Sequence, residues 1–168
     1  SELFTVSPGT YSGALRVSGK VAVGRVSPTK QVIVYDLSGV DPMCFMNPGQ
    51  MGITGGCSIS IYGDTQPPNS LTSPSSSCQS TSQLGSHYYG SQRWDENAQQ
   101  LVGITTDPYV GIWYKSDFSG KTTGTFQIET GITDVLNMMG LSIIVSDMGG
   151  QKISCGTISN QDLPYVNP

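Results

Sequence analysis

The sequence predicts an all-β protein, and three of its features lead to this prediction. Charged residues make up only 12% of the 168 residues, while glycine occurs 21 times and proline 10 times. The apolar residues come in short runs rich in Val, Ile, Leu and Tyr, which are typical of strands. No long window of the sequence has a helical period. A chain of this length suits one domain, so we expect residues 1–168 to form a single β domain.

Eight β-prone runs follow one another along the chain, and turn-forming residues separate several of them. The runs cover residues 12–17, 20–26, 31–37, 57–62, 110–115, 123–129, 141–146 and 152–158. The turn signals are Ser18-Gly19, Ser27-Pro28, Ser119-Gly120 and Gly149-Gly150. Gly, Ser and Pro in these pairs favour tight turns, and such short links favour antiparallel neighbours. Residues 133–139 are expected to form a connector with at most one helical turn.

Two long irregular stretches, residues 39–56 and 63–108, interrupt the predicted strands. Long loops in a compact domain usually serve a function or must be held in place. The four cysteines lack Cys-x-x-Cys spacing, which favours two disulfides. Cys44 and Cys57 bracket the first loop, whereas Cys78 lies in the second and Cys155 on the last run. We therefore predict the disulfides Cys44–Cys57 and Cys78–Cys155.

Composition also limits the compartment and the partners. The formal net charge of −4 leaves no basic stripe for nucleic acid or for an anionic membrane surface. No run approaches the length of a membrane-spanning helix. Paired cysteines predict an oxidising, extracellular location. The N-terminus has no signal-peptide pattern, so we expect Ser1 to begin a mature or recombinant chain.

Four segments, in chain order, resemble the copper-zinc superoxide dismutase family. Residues 58–64, Ser-Ile-Ser-Ile-Tyr-Gly-Asp, resemble the family's His-Val-His-x-Phe-Gly-Asp strand. Cys78, followed by Gly-Ser-His-Tyr-Tyr at residues 85–89, resembles its Gly-Cys and Gly-x-His-Phe-Asn segment. Residues 139–147, Met-Gly-Leu-Ser-Ile-Ile-Val-Ser-Asp, resemble Ile-Gly-Arg-x-Leu-Val-Val-His-Glu, and residues 152–158, Lys-Ile-Ser-Cys-Gly-Thr-Ile, resemble Arg-Leu-Ala-Cys-Gly-Val-Ile. The resemblance implies an eight-stranded Greek-key β-barrel or sandwich.

The same resemblance implies that the metal site is lost. By position, three of the family's copper histidines correspond to Ser58, Ser60 and Ser146, and the bridging histidine corresponds to His87, the one histidine of the chain. The family's anion-orienting arginine corresponds to Lys152. Serine is a poor copper ligand, and one imidazole cannot fix a copper centre. We therefore expect no metal, no cofactor and no superoxide dismutase activity.

The two long loops hold the candidate interaction surface, which is rich in thioether and aromatic groups. Its residues are Phe45, Met46, Met51, Tyr88, Tyr89 and Trp94. The alternative interpretation is that these side chains pack against the barrel.

The sequence predicts a secreted, non-catalytic protein with a structural or interaction role in an extracellular matrix or assembly. The expected partner is a protein, a glycan or a second copy of the chain. Two other hypotheses stay open: a divergent metalloenzyme that binds metal at His87, and a binding module that uses its loops to recognise a protein or a glycan.

Overall fold

The computed structural model describes residues 2–3, 15–27, 30–46, 56–63, 78, 93–95, 100–102, 112–129 and 140–158. Within these residues the chain forms nine strands, one short 3-10 helix at Pro42–Phe45, and no α-helix. The strands are β1 Glu2–Leu3, β2 Ser18–Arg25, β3 Lys30–Ser38, β4 Ile59–Tyr62, β5 Arg93–Asp95, β6 Gln100–Val102, β7 Lys121–Glu129, β8 Ser142–Ser146 and β9 Lys152–Thr157. The all-β prediction is confirmed for the described residues.

The larger sheet has four antiparallel strands in the order β1-β2-β3-β7. Strand β3 lies between two long partners, and its residues alternate between the two faces of the sheet. Ile33, Tyr35 and Leu37 are buried, whereas Val34 and Asp36 are exposed. This sheet therefore has one face toward the core and one face with substantial solvent contact.

The second sheet has three antiparallel strands in the order β4-β8-β9. All five residues of the central strand β8 are buried, so both faces of this sheet are covered. A register shift between Val145 and Ser146 marks a β-bulge, which pairs Ser146 with Lys152 and leaves Ile153 without an opposite residue. Strands β5 and β6 form a separate two-stranded hairpin.

The hydrophobic core lies between the two larger sheets and receives side chains from both. The four-stranded sheet contributes Val21, Val23, Ile33, Tyr35 and Leu37. The three-stranded sheet contributes Ile59, Ile61, Ile143, Val145 and Ile153. Ile112 and Tyr114 join the same cluster from the segment that precedes β7.

That segment, residues 112–117, links the edges of the two sheets. The N–H of Tyr114 donates to the carbonyl of Cys57 at 2.8 Å, beside strand β4. Three residues later, the N–H of Asp117 donates to the carbonyl of Lys121 at 2.9 Å, where β7 begins. The chain therefore changes hydrogen-bonding partner from one sheet to the other within a few residues.

Two turns of the same kind begin at Asp117 and Asp147. In each turn the aspartate N–H donates to the carbonyl four residues later, at 2.9 Å, and the glycine N–H donates back to the aspartate carbonyl, at 3.0 Å. The aspartate Oδ1 also accepts the N–H four residues later, at 2.9 and 2.8 Å. Gly120 and Gly150 have φ values of 74° and 80°, which glycine adopts without steric cost. The predicted turn signals at residues 119–120 and 149–150 are confirmed.

Two of the predicted strands are not formed by their described residues. Residues 15–17 of the predicted run 12–17 are not in a strand, and Ser18 and Gly19 lie inside β2 rather than in a turn. Gly19 has a φ of 128°, and a Cβ there would lie 2.9 Å from the Cα of Leu37. This glycine therefore permits a close approach between neighbouring strands, which the sequence pattern cannot distinguish from a turn.

The second error concerns the predicted run 110–115. Its described residues contain only an isolated bridge between Trp113 and Ser58, because the segment leaves one sheet for the other before a ladder can form. Strands β1, β5 and β6 were not predicted, since two or three residues are too few to produce a periodic pattern. The predicted connector at 133–139 lies outside the described residues.

Both predicted disulfides are present. Cys44 is bonded to Cys57 with their Cα atoms 5.8 Å apart, and Cys78 is bonded to Cys155 with their Cα atoms 5.6 Å apart. These bonds are consistent with an oxidising, extracellular location. Among the described residues, no helix is long and apolar enough to cross a membrane.

Candidate functional site

The structure brings Ser58, Ser60 and Ser146, which the sequence resemblance relates to copper ligands, onto one face of the three-stranded sheet. Ser58 and Ser146 lie opposite each other, and the N–H of Ser146 donates to the carbonyl of Ser58 at 3.0 Å. Ser60 is two residues from Ser58 and pairs with Ile144. Because strand side chains alternate, all three hydroxyl groups lie on the face opposite to the core residues Ile59 and Val145. We name Ser58, Ser60 and Ser146 the serine face.

All three residues of the serine face are buried. Their donor set does not fit copper or zinc, because neutral hydroxyl oxygens are weak ligands for both metals. No cluster of three or more His, Cys, Asp or Glu side chains that could hold a metal occurs among the described residues. His87 lies outside the described residues.

Lys152 extends across the same face of the sheet. It pairs with Ser146 on β8, and its Nζ lies 5.3 Å from the centre of the Tyr62 ring on β4. A lysine ammonium at this distance is attracted to the negative face of the aromatic ring. Since Lys152 and Tyr62 stand on the two outer strands of this sheet, their side chains lean toward each other over its middle.

The disulfide Cys78–Cys155 joins the second long loop to the other end of this face. The Sγ of Cys78 lies 3.7 Å from the Oγ of Ser142 and 3.9 Å from the Oγ1 of Thr157. Ile144 and Cys155 form a small apolar cluster on the same face, separate from the main core. The serine face is therefore the polar end of a buried sheet surface, and the disulfide attaches residue 78 to the other end of that surface.

A second feature lies at the Cys44–Cys57 disulfide. The rings of Phe45 and Phe118 have centroids 4.7 Å apart. Phe118 is 79% exposed and Met43 is 50% exposed, whereas Phe45 and Met46 are half-buried. We name Met43, Phe45, Met46 and Phe118 the aromatic end. It places large apolar side chains in solvent, which soluble proteins usually avoid in clusters.

Hydrogen bonds fix the 3-10 helix that carries part of the aromatic end. The carboxylate of Asp41 accepts the N–H of Met43 through Oδ1 and the N–H of Met148 through Oδ2, both at 2.9 Å. The N–H of Ser116 donates to the carbonyl of Cys44 at 3.2 Å. The aspartate therefore caps the helix and ties it to the turn before β9.

Cys57 anchors the other side of this disulfide in a restricted backbone conformation. Its φ is 51°, and among the described residues no other non-glycine residue has a positive φ. Its N–H donates to the carbonyl of Asp147 at 2.7 Å, and its carbonyl accepts the N–H of Tyr114 at 2.8 Å. The Sδ of Met148 lies 3.8 Å from its Sγ. These contacts hold a conformation that costs about 1 kcal/mol or more.

Phe118 stands in a turn that is fixed by one carboxylate oxygen of its aspartate. The Oδ1 of Asp117 accepts the N–H of Lys121 at 2.9 Å, and it also accepts the N–H and the hydroxyl of Ser119, at 2.8 and 2.7 Å. These bonds, led by the one from Lys121, lower the pKa of the Asp117 carboxyl. The turn is therefore fixed in shape although it is solvent-exposed.

Tyr114 connects the two features. Its hydroxyl donates to the carbonyl of Ser146, at the serine face, at 2.8 Å. Burial raises the pKa of this phenol, and the neighbouring charges of Asp41 and Asp147 raise it further. Tyr114 therefore stays a neutral hydrogen-bond donor throughout the physiological range.

The structure describes only some of the predicted interaction residues. Phe45 and Met46 lie at the aromatic end, and Trp94 lies in β5, of which only the backbone is described. Met51, Tyr88 and Tyr89 lie outside the described residues. Sequence reasoning missed Phe118, whose ring packs against that of Phe45. The available signal was an aromatic residue inside an Asp-x-Ser-Gly turn, where polar residues are usual.

Comparison of the sequence with protein-family models and with curated proteins finds no match to either. The likeness to the superoxide dismutases therefore rests on the four segments of sequence, and membership of that family stays a prediction.

Proposed function

We propose that this protein is a secreted, non-catalytic module with a superoxide dismutase-like barrel, and that it acts as a structural or interaction protein through its aromatic end. The observation that carries the proposal is the exposure of Phe118 and Met43 on a support that is fixed by a disulfide and two aspartate caps.

The pairing of the strands supports the barrel. Strand β3 pairs with β7 rather than with β4, as a Greek-key connection requires. Residues 112–117 hydrogen-bond to the edges of both sheets. Two antiparallel sheets of four and three strands, joined at their edges by this segment, are compatible with the barrel that we propose.

The serine face supports the absence of catalysis. The resemblance relates its three hydroxyl groups to the family's copper histidines, and hydroxyl groups cannot supply the ligand field of a redox copper site. A serine nucleophile would need an activating base within hydrogen-bond reach. The one histidine of the chain, His87, lies outside the described residues.

Energetics favour contact with a partner at the aromatic end. Full burial of a phenylalanine side chain is worth about 1.5 to 3 kcal/mol, and 79% of Phe118 is exposed. Most of this free energy is available to a partner that covers the ring. Because the supporting turn is already fixed, little conformational entropy is lost on binding.

Photo-crosslinking tests the proposal. The protein carries p-benzoylphenylalanine in place of Phe118 and is irradiated in extracellular fluid from its source. We expect one discrete crosslinked species, identified by mass spectrometry. The matched control carries the probe in place of Val34, which is 40% exposed on the outer face of the four-stranded sheet, and we expect no such species from it.

A second variant separates this proposal from the metalloenzyme hypothesis. His87→Gln in the Phe118-probe protein is expected to leave the crosslinked product unchanged. Equal diffuse labelling at positions 118 and 34, or no product at 118, would overturn the interaction role. Loss of the product in His87→Gln would favour a function at His87 instead.

A further inference from the structure

We propose that the aromatic end binds an acidic protein segment that presents one or two bulky apolar side chains. This inference rests on the proposed function and adds the chemistry of the partner. It is carried by the charges around Phe118 and by the state of the nearby carboxylates.

Two lysines bracket Phe118 on the hairpin that carries it. Lys115 and Lys121 are both exposed, and the hairpin is closed by the bond from the Asp117 N–H to the Lys121 carbonyl at 2.9 Å. Residues 115–121 carry two lysines and one aspartate in a chain whose net charge is −4. The hairpin segment 115–121 therefore has a formal net charge of +1 on an acidic protein.

The carboxylates nearby are already engaged by backbone N–H groups. The Oδ1 of Asp117 accepts two N–H groups and the Ser119 hydroxyl from its own turn, and the two carboxylate oxygens of Asp41 accept the N–H groups of Met43 and Met148. No ion pair of Lys115 or Lys121 occurs among the described residues. The charge of Lys121 acts on the Asp117 carboxylate, as the smallest of the contributions that lower its pKa. Both exposed lysines can still meet a partner's carboxylates at the rim of an apolar centre.

This arrangement disfavours other occupants. In a symmetric dimer the same patch faces itself, so the Lys115 and Lys121 groups of both copies would be brought together. An anionic membrane gains only about 1 kcal/mol per lysine, and it would meet a chain with a net charge of −4. Four side chains are also too few for an interface of standard size. A short segment with an apolar anchor between acidic residues fits both size and charge.

The test uses a synthetic peptide with a Leu-Phe pair flanked on both sides by Glu-Asp pairs. Two control peptides replace either Leu-Phe with Ser-Ser or the acidic residues with lysine. We expect the acidic apolar peptide to shift the amide NMR signals of residues 43–46 and 117–121. We expect its binding to be at least tenfold tighter than that of either control, which corresponds to about 1.4 kcal/mol.

Variants of the protein report on each part of the surface. Lys115→Gln/Lys121→Gln is expected to weaken binding about fivefold to tenfold, and Phe118→Ser at least tenfold. Lys20→Gln, at an exposed lysine of the four-stranded sheet, is the matched control and is expected to bind like the unmodified protein. Raising the salt concentration from about 50 to about 300 mM is expected to weaken binding through charge screening.

The outcomes distinguish the two proposals. If Phe118→Ser abolishes binding while the lysine variants and the lysine-flanked peptide behave like the reference, the contact surface stands and the acidic partner is wrong. No shift at residues 117–121 with any peptide also overturns the acidic partner. A dimer seen by sedimentation and removed by Phe118→Ser would identify a second copy as the occupant. The crosslinking experiment decides the proposed function independently of these results.

Discussion

Replacing Gly124 with alanine is expected to destabilise the protein, because the Tyr35 ring occupies the space that a Cβ would need. A Cβ at position 124 would lie 2.5 Å from the Cζ of Tyr35 and 2.9 Å from its Cε1. The ring cannot swing away freely, since Tyr35 is only 6% exposed and its centroid lies 5.9 Å from that of Phe126. Its hydroxyl also forms a hydrogen bond with the Thr122 side chain.

The size of the effect follows from three contributions. Forcing an extra methyl group into a packed site costs about 1 to 3 kcal/mol, and losing the hydrogen bond to Thr122 costs about 1 kcal/mol. Alanine offsets about 0.5 to 1 kcal/mol, because glycine loses more backbone entropy in a strand. We expect the free energy of unfolding to fall by about 1 to 3 kcal/mol in total.

Urea unfolding followed by circular dichroism measures this change. Gly149→Ala is the matched control, because a Cβ there meets only the Oδ1 of Asp147 at 3.4 Å, and we expect a change within about 0.5 kcal/mol. In a Tyr35→Val background the clash is removed, so Gly124→Ala should have no destabilising effect. A neutral Gly124→Ala, or the same loss in both backgrounds, would refute the packing argument.

Three further predictions concern the disulfides, one titration and the metals. The cysteines of Cys78–Cys155 are 77 residues apart, and replacing both by alanine should lower the free energy of unfolding by about 4.5 kcal/mol. The same replacement at Cys44–Cys57, whose cysteines are 13 residues apart, should lower it by about 3 kcal/mol. Urea unfolding that gives the reverse order contradicts the chain-entropy reasoning. The lowered pKa of Asp117 means that its turn bonds stabilise the fold above the ordinary aspartate pKa of about 3.9 and are lost as the pH falls through the lower folded value. Carboxyl NMR titration should find this pKa below 3.9, and a value at or above it contradicts the assignment. Protein produced with copper and zinc in the medium should contain neither metal in stoichiometric amount, and one copper per chain with chelator-sensitive dismutase activity would contradict this.

The sequence was informative where local pattern decides the structure. The β-prone run 31–37 predicts β3, and the Ser119-Gly120 and Gly149-Gly150 pairs predict both turns, because each depends on neighbours along the chain. The position of Gly19 was misread as a turn because its role depends on Leu37 of the adjacent strand. Residues 110–115 were misread because their described part meets β4 only through an isolated bridge at Trp113, and the chain then turns toward β7 at Asp117. Such non-local pairing is not encoded in a short window of sequence.

The candidate sites were also predicted from the sequence only in part. The resemblance relates Ser58 and Ser146 to one lost metal site, and the strand register places them opposite each other. The aromatic end was half predicted, since the Met-rich loop indicates Phe45 and Met46. Its most exposed member, Phe118, comes from a turn about 70 residues later in the chain, and only packing reveals the pair.

The aromatic end is attached to the core by hydrogen bonds and a disulfide. This attachment separates its role in binding from its role in stability. Cys57 connects the disulfide to the turn at Asp147 and to Tyr114, which also contacts the serine face. Its left-handed backbone persists because these contacts restrain it together. Phe118 itself contributes little to this network, since most of its surface meets solvent. Substitution of Phe118 can therefore remove binding free energy while the fold keeps its stability, which is the property that a dedicated contact residue requires.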